Sequence, residues 1–235
     1  MSAKPDALPI ALIGYGRMGR ALDALAPERG CRIVARLDHD AGAVTRATLN
    51  GAAVAIEFSV PDAAERNAMA CIDAGCPVVV GTTGWYDALP ALREHVVRSG
   101  GALLTAANFS VGVIVFERIV AEAARLFAAV AGFESHLVET HHAGKKDAPS
   151  GTADMLARVA AEASAREVPI TSVRVGSVPG THELVFDAPF EQVRLTHEAR
   201  DRRVFAEGAL VAARWLVGRR GAFTMQDVLS NAEVS

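Results

Sequence analysis

The sequence predicts an α/β protein: a doubly wound parallel sheet in the first half, and a second α+β domain on an open mixed sheet. Strand-like apolar runs alternate with helical segments up to residue 109, a pattern typical of parallel sheets with crossover helices. Several strand-like runs follow a long helix in the second half. A last helix is expected to return to the first domain. We therefore predict domains at 1–109 with 208–235, and at 110–207.

The composition indicates a globular protein without a nucleic-acid or membrane partner. The 235 residues are 51% hydrophobic and 22% charged, with a formal net charge of -3, and no long basic run is present. Residues 1–9 lack the apolar core of a secretory signal. The three cysteines, Cys31, Cys71 and Cys76, form no CxxC pair. We expect a cytoplasmic protein with free thiols and no bound metal.

The first strand, Pro9–Ile13, runs into a complete GxGxxG motif, and a helix is predicted over 21–26. The motif residues are Gly14, Tyr15, Gly16, Arg17, Met18 and Gly19. Strand, glycine turn and helix in this order predict a dinucleotide-binding Rossmann unit. A second strand, Cys31–Leu37, ends at Asp38, where a carboxylate can bind the adenosine ribose. His39 follows instead of arginine, which favours NADH over NADPH, although Arg17 is placed to reach a 2′-phosphate.

The next elements continue the parallel pattern. They are strand Val54–Phe58, a helix from Pro61 to about Ala74, strand Pro77–Val80, a helix over about 87–99 and strand Ala102–Ala107. Residues after such strands lie along the carboxyl edge of the sheet, where ligands bind. We expect the nicotinamide half of a cofactor to contact Ser59, Gly81, Thr82, Thr83, Ala106, Ala107, Asn108 and Phe109. The alternative is that these segments are short connections without a ligand.

In the second half the pattern changes from alternation to a group of strands. The predicted elements are a helix from Val113, strand Phe133–Thr140, helix Ala153–Ser164, strands Thr171–Val175, His182–Phe186 and Glu191–Glu198, and helix Val204–Val217. This order is typical of an open sheet with helices on one face.

Residues 139–152 concentrate groups that bind an anion and supply a proton. They include His141 and His142, and two of the chain's three lysines, Lys145 and Lys146. Histidine exchanges a proton near neutral pH, and lysine supplies a fixed positive charge. The start of the following helix adds unpaired N–H groups. The alternative is a solvated basic loop.

Several motifs occur in one order and register: GRMG at 16–19, GTTG at 81–84, ANFSVGV at 107–113, HHAGKKDAPSGT at 141–152 and TH at 196–197. In these motifs the chain resembles the dihydrodipicolinate (4-hydroxy-tetrahydrodipicolinate) reductases of lysine and diaminopimelate biosynthesis. The resemblance implies hydride transfer from NADH or NADPH to a cyclic imine dicarboxylate, and a homotetramer. It also implies that His141 and Lys145 are catalytic, His141 as the general acid. His142, Ser150, Gly151 and Thr152 would bind substrate.

Two other functions are compatible with the same residues. One is reduction of another imine or an aldehyde, because a fold does not fix its substrate. The other is a nicotinamide-binding sensor without turnover. Compared with the longer members of the family that it resembles, the chain lacks most of a loop between helix Ala153–Ser164 and strand Thr171–Val175, and how the shortened loop closes the site does not follow from the sequence. No role follows from the sequence for Lys146, His182 or Arg202.

Overall fold

The computed structural model describes residues 7–40 and 42–230, and it confirms the predicted fold class. Residues 1–6 and 231–235, at the ends of the predicted first domain, lie outside the described residues. The described residues form two compact units, one of residues up to Phe109 and from Arg203 onwards, the other Ser110–Arg202. Within the described ranges, no helix is long and apolar enough to cross a membrane.

The first unit is a six-stranded sheet with helices. Its elements are β1 Leu8–Ile13, α1 Arg17–Leu25, β2 Cys31–Leu37, β3 Val54–Glu57, α2 Pro61–Asp73, β4 Val78–Val80, α3 Leu89–Ser99, β5 Ala102–Thr105, α6 Arg203–Leu216, β10 Gly221–Phe223 and α7 Met225–Ser230. The strand order is β10-β5-β4-β3-β1-β2, and every pairing is parallel. The chain reverses direction across the sheet at β1 and β3, and this switch point is where such sheets bind ligands.

The central strands of the first unit are buried on both faces, which is the pattern of a parallel sheet covered by helices, whereas edge strand β2 exposes Arg32 and Arg36. Every residue of β3, β4 and β5 is buried. One of these buried residues has an ionisable side chain: Glu57, at the end of β3, is 0% exposed. A buried carboxylate at the carboxyl end of a strand marks the ligand-binding edge.

The second unit has a four-stranded sheet and two helices. Its elements are α4 Val111–Ala128, β6 Glu134–His141, α5 Gly151–Ser164, β7 Ile170–Arg174, β8 Thr181–Ala188 and β9 Glu191–Glu198. The strand order is β7-β6-β8-β9. Strand β7 runs parallel to β6, whereas β8 is antiparallel to both of its neighbours. The predicted mixed sheet is therefore confirmed.

One face of this sheet is apolar at one end and polar at the other. Leu137, Leu184 and Phe186 pack with α4 and α5 in a single core cluster. Successive residues of a strand point to opposite faces, so Glu139 and His141 share the face of Leu137, and both are buried. The core face thus ends in a group of ionisable side chains.

Several details differ from the sequence prediction. Helix α1 begins at Arg17 instead of at 21. Strand β6 continues through His141, which was expected in a loop, because His141 still pairs with Arg174. The last long helix begins at Arg203, so the structure returns to the first unit at 203 instead of 208. Strand β10 and helix α7 were not predicted. They are short, three and six residues, and such elements carry little periodicity.

Candidate active site

The glycine motif connects β1 to α1 with no room for side chains at two of its positions. A Cβ on Gly14 would lie 2.2 Å from the Phe58 carbonyl oxygen, and one on Gly19 would lie 2.4 Å from the Gly14 oxygen. Gly16 is the N-cap of α1 and has no side-chain cap, and a Cβ there would meet nothing within 4 Å. The helix start therefore combines free space with backbone N–H groups, which is the requirement for binding a pyrophosphate.

Polar side chains of the first unit fix the glycine loop beside β2. The Tyr15 hydroxyl donates to Asp23, and Arg36 donates to the same carboxylate with Nε at 2.8 Å and Nη2 at 2.7 Å. The Arg36 hydrogen bonds lower the pKa of Asp23. Asp38 lies exposed just after β2, and the His39 backbone N–H that it accepts lowers its pKa. Its carboxylate is ionised and accessible to a ribose.

A second polar cluster lies where β3 and β4 end. The Ser59 hydroxyl donates to the buried carboxylate of Glu57, and the Ser59 backbone N–H donates to Thr82 Oγ1 at 2.8 Å. Asn67 Nδ2 donates to the Ser59 hydroxyl at 3.3 Å. Glu57 Oε2 has no hydrogen-bond partner among the described residues. An unpaired buried oxygen is costly, so this cluster has acceptor capacity for a further donor.

The remaining residues predicted at the cofactor differ in exposure. Arg17, Thr83 and Ala107 are exposed, while Met18, Gly81, Ala106 and Asn108 are partly buried. Phe109 is 2% exposed and its ring lies edge-on to Phe58 at 5.6 Å. A Cβ on Gly208 would lie 1.6 Å from the Phe109 carbonyl oxygen. The side chain of Phe109 is therefore a packing element of the first unit.

In the second unit, His141 lies against a buried carboxylate. Its Nδ1 contacts Glu139 Oε2, and Arg174 Nη2 donates to Glu139 Oε1 at 2.6 Å. Burial opposes ionisation of Glu139, but hydrogen bonds from Arg174, Ser172 and His141 outweigh it and lower its pKa to about 2. Glu139 is therefore a carboxylate at neutral pH. Burial lowers the pKa of His141 below its usual 6.5, and Glu139 acts in the opposite direction.

His182 on β8 lies beside His141 on the same face of the sheet. The two ring centroids are 5.2 Å apart in an edge-to-face arrangement. His182 Nε2 is 3.2 Å from the hydroxyl of Ser150, which also caps α5 by accepting the Ala153 N–H at 3.2 Å. Burial, and then the neighbouring His141, lower the pKa of His182 to about 4. His182 is therefore a neutral imidazole that fixes the side chain of Ser150.

The loop after β6 presents Lys145. Its ammonium group donates to both oxygens of Asp147 at 2.8 Å. Arg174 Nη2 in turn donates to the Asp147 backbone carbonyl at 2.6 Å. His142 Nε2 lies 3.3 Å from Arg202 Nη2. Lys146 is exposed.

The structure brings together most of the predicted substrate-site residues within the second unit. His141 and Ser150 both contact His182, and Lys145 is connected to the pair of Glu139 and His141 through Asp147 and Arg174. Gly151 and Thr152 begin helix α5. Sequence reasoning missed Glu139 and Arg174, and it assigned no role to His182. Spacing carried a signal for Glu139, because a residue two positions before His141 on a strand must share its face. The sequence carried no such signal for Arg174, because a neighbour on another strand can be identified only once the register of β6 and β7 is known.

Two protein-family models match this chain. The model described as dihydrodipicolinate reductase, N-terminus, matches residues 8–109, and the model described as dihydrodipicolinate reductase, C-terminus, matches residues 112–229. Together they span both units.

Curated proteins and solved structures show the same similarity. The chain is 39% identical to a 4-hydroxy-tetrahydrodipicolinate reductase of Christiangramia forsetii, over 94% of this chain and 98% of that protein. It is 36% identical to the protein of that name from Thiobacillus denitrificans, over 94% and 97%. The fold matches a dipicolinate-bound dihydrodipicolinate reductase from Paenisporosarcina sp. TG-14 with a TM-score of 0.78, at 20% identity over 94% and 98% of the two chains.

Proposed function

This chain belongs to the dihydrodipicolinate reductase family, as its motifs predicted, and from that premise we propose how its residues perform the reaction. It is an oxidoreductase that uses a nicotinamide cofactor. The reaction is the reduction of 4-hydroxy-tetrahydrodipicolinate to tetrahydrodipicolinate in lysine and diaminopimelate biosynthesis. The observation that carries the proposal is the buried pair of Glu139 with His141, on a sheet that also positions Ser150 and Lys145.

The residues of the first unit fit a dinucleotide. Gly14 and Gly19 close the turn, and the uncapped start of α1 at Gly16 leaves space and N–H donors for a pyrophosphate. Ser59 and Thr82 are held at the ends of β3 and β4 by mutual hydrogen bonding. When bound, a reduced nicotinamide supplies the hydride.

The proposed cofactor preference is for NADH. The side chain of Asp38 is 54% exposed and its pKa is lowered, first by the His39 N–H. A carboxylate accepts hydrogen bonds from a ribose 2′-hydroxyl and repels a 2′-phosphate. Arg36, the nearest guanidinium on β2, is engaged by Asp23, which favours the same choice.

The proposed substrate is a dianion, and the second unit offers groups for its carboxylates. Lys145 supplies an ammonium group, and His142 lies nearby on the same loop. The start of α5 supplies N–H groups at Gly151 and Thr152. Ser150 is fixed by His182, so its hydroxyl is oriented before a ligand binds. Charge-assisted hydrogen bonds of this kind are about twice as strong as neutral ones.

We assign the proton transfer to His141 Nε2. Reduction of a conjugated imine leaves an enamine, and its ring carbon must gain a proton. Because Nδ1 of His141 is engaged by Glu139, the proton that can leave is the one on Nε2. A Cβ built on Gly180 would lie 3.0 Å from that nitrogen, so the glycine keeps the space beside Nε2 free. Positioned proton transfer typically contributes about 10²–10⁴ in rate.

The test is turnover of the enzyme with substrate generated in place by condensing aspartate semialdehyde with pyruvate, followed by NADH absorbance. We expect turnover with the wild-type protein and severe loss in His141→Ala and Lys145→Ala. Matched controls are His136→Ala, on the opposite face of β6, and Lys146→Ala, one residue further in the same loop. Equal losses in Lys145→Ala and Lys146→Ala would contradict the assignment of Lys145. If the wild-type protein shows no turnover with NADH or with NADPH, the proposed substrate is wrong.

We propose that the protein is cytoplasmic and homotetrameric. Its three cysteines are free and buried, which suits a reducing compartment. Val173 on β7, Val175 directly after it and Phe190 between β8 and β9 are exposed, and apolar surface of this kind supports a subunit contact where it is contiguous. Light scattering of the purified protein measures the subunit number, and a monomer would contradict the proposal.

A further inference from the structure

Glu139 is a fully buried carboxylate that contacts a guanidinium and an imidazole of the second unit. It lies on β6 with 0% exposure, and its two oxygens contact different groups, Oε1 the guanidinium of Arg174 and Oε2 the imidazole of His141. Strand register enforces this arrangement. Glu139 pairs with Ser172, and His141 pairs with Arg174 on the adjacent parallel strand.

We propose that Glu139 is the positioning residue for the proton donor: it fixes the Nδ1–H form of His141, and it stabilises the imidazolium against burial and the neighbouring cations. This inference rests on the proposed function, since it concerns the residue assigned to donate the proton. Glu139 itself does not contact the reacting atoms and acts through His141.

The first part of the argument is the tautomer. An ionised carboxylate only accepts hydrogen bonds, and Arg174 keeps Glu139 ionised. His141 Nδ1 must therefore carry a hydrogen whether the ring is neutral or charged. Nε2 then becomes the nitrogen that gains and loses the proton, and it is the nitrogen beside Gly180.

The second part is the charge balance around His141. The groups that face it are Glu139 from β6, Arg174 from β7, His182 from β8 and Lys145 from the loop. Burial is the largest influence and lowers the pKa of His141, and Lys145 and Arg174 lower it further. Glu139 opposes them. Without its negative charge, an imidazolium here would be desolvated beside two cations, and the fraction of His141 that carries the second proton would fall further.

Arg174 acts on the pair in two ways. Its direct effect on His141 is unfavourable to the imidazolium. However, a buried carboxyl group without a cation becomes protonated, and a neutral Glu139 would no longer stabilise His141. Arg174 therefore supports the proton donor indirectly, by holding Glu139 in its charged form.

The informative variant is Glu139→Gln. Arg174 donates to one oxygen of Glu139 and would select the amide oxygen of glutamine, which turns the NH₂ group towards His141 Nδ1. A donor at that position requires Nδ1 to be an acceptor, so the neutral ring must change to the Nε2–H form. The matched control is Glu183→Gln on β8, because Glu183 forms an ion pair of 2.8 Å with Arg194 on the same sheet but does not contact His141.

The first readout is NMR of the free protein with labelled histidine, where the signal of His141 is identified by its absence in His141→Asn. We expect the wild type and Glu183→Gln to show Nδ1–H. In Glu139→Gln we expect His141 to take the Nε2–H form and its pKa to fall by at least one unit. At pH values above both pKa values, the fraction of His141 present as imidazolium is then at least tenfold smaller. An unchanged tautomer and pKa would overturn the proposal. If Glu139→Gln does not fold, the tautomer and pKa of His141 are measured in Glu139→Asp instead, where the carboxylate keeps its charge but lies further from the imidazole.

The second readout is kcat/KM as a function of pH. Activity that needs an imidazolium falls as the pH rises through its pKa, so this fall should occur at lower pH in Glu139→Gln, and kcat should drop by roughly 10²-fold. A purely structural role would lower kcat without moving the profile, and that result would overturn the proposal. Absence of wild-type turnover would instead contradict the proposed function, while the NMR titration would still decide the role of Glu139.

Discussion

Replacing His182 by glutamine should remove most of a pH-dependent loss of stability in the second unit. His182 is 5% exposed and its pKa is lowered to about 4 by burial and by His141, against an ordinary value of 6.5. The unfolded chain therefore binds a proton between these values that the folded chain does not. Stability from this group is complete above 6.5 and is lost as the pH falls towards 4.

The magnitude follows from the same two values. Lowering the pH from about 7.5 to about 5.5 should cost the folded state about 1 kcal/mol through His182 alone. The pKa values of His141 and His197 are also lowered, first by burial. The effect of that burial is present in both proteins and cancels in the comparison, whereas the coupling of both rings to His182 is part of the measured difference. The contribution of Glu139 is lost only below 4.5, outside this interval.

The assay must report on the second unit. Trp85 and Trp215, the two tryptophans of the chain, both belong to the first unit, so their fluorescence does not follow the sheet of interest. Hydrogen exchange of peptides that cover β6 and β8 measures the opening free energy of that sheet. The wild type should lose about 1 kcal/mol more than His182→Gln between the two pH values, and His136→Gln should behave as the wild type. Equal losses in all three proteins would refute the reasoning.

Two further changes test the proposed cofactor site of the first unit and the space beside His141. Asp38→Ala should raise the ratio of activity with NADPH to activity with NADH, and Asp40→Ala should not, because the predicted ribose contact belongs to Asp38. Gly180→Ala should lower kcat at least tenfold, since its Cβ would lie 3.0 Å from His141 Nε2 and the backbone φ of +157° disfavours any side chain there. Gly176→Ala is the control: its φ is +53° and its Cβ would meet nothing within 4 Å, so it adds backbone strain without the contact. Steady-state kinetics checks both pairs.

Much of the fold was predictable because its signals are local. The GxGxxG motif follows β1 directly. No residue with a side chain fits at Gly14 or Gly19, because its Cβ would clash with nearby backbone atoms. Strand β10 was missed because three residues, Gly221–Phe223, carry no periodicity, and their place beside β5 depends on a parallel pairing of distant residues.

The candidate site was predictable in its chemistry but not in its connections. The sequence indicated His141 and Lys145 because they lie close together in one motif. It did not indicate Arg174, which lies 33 positions after His141 and joins it through the register of β6 and β7. The missing information was where β6 ends. The prediction placed His141 in a loop, where its ring has no fixed relation to Glu139. In the structure the strand continues through His141, so both side chains lie on one face.

Arg174 also explains how the proton donor and the cation of this site are held together. Its Nη1 donates to the Val173 carbonyl at 2.7 Å, while Nη2 donates to both Glu139 and the Asp147 carbonyl at 2.6 Å. The carboxylate of Asp147 then holds Lys145. A lysine at 174 would present a single point charge instead of a planar fork and would not satisfy acceptors on the strand and the loop together. The same guanidinium thus keeps Glu139, the partner of His141, ionised, and it anchors the loop that carries Lys145. The two groups assigned to catalysis therefore depend on one residue that contacts neither side chain directly.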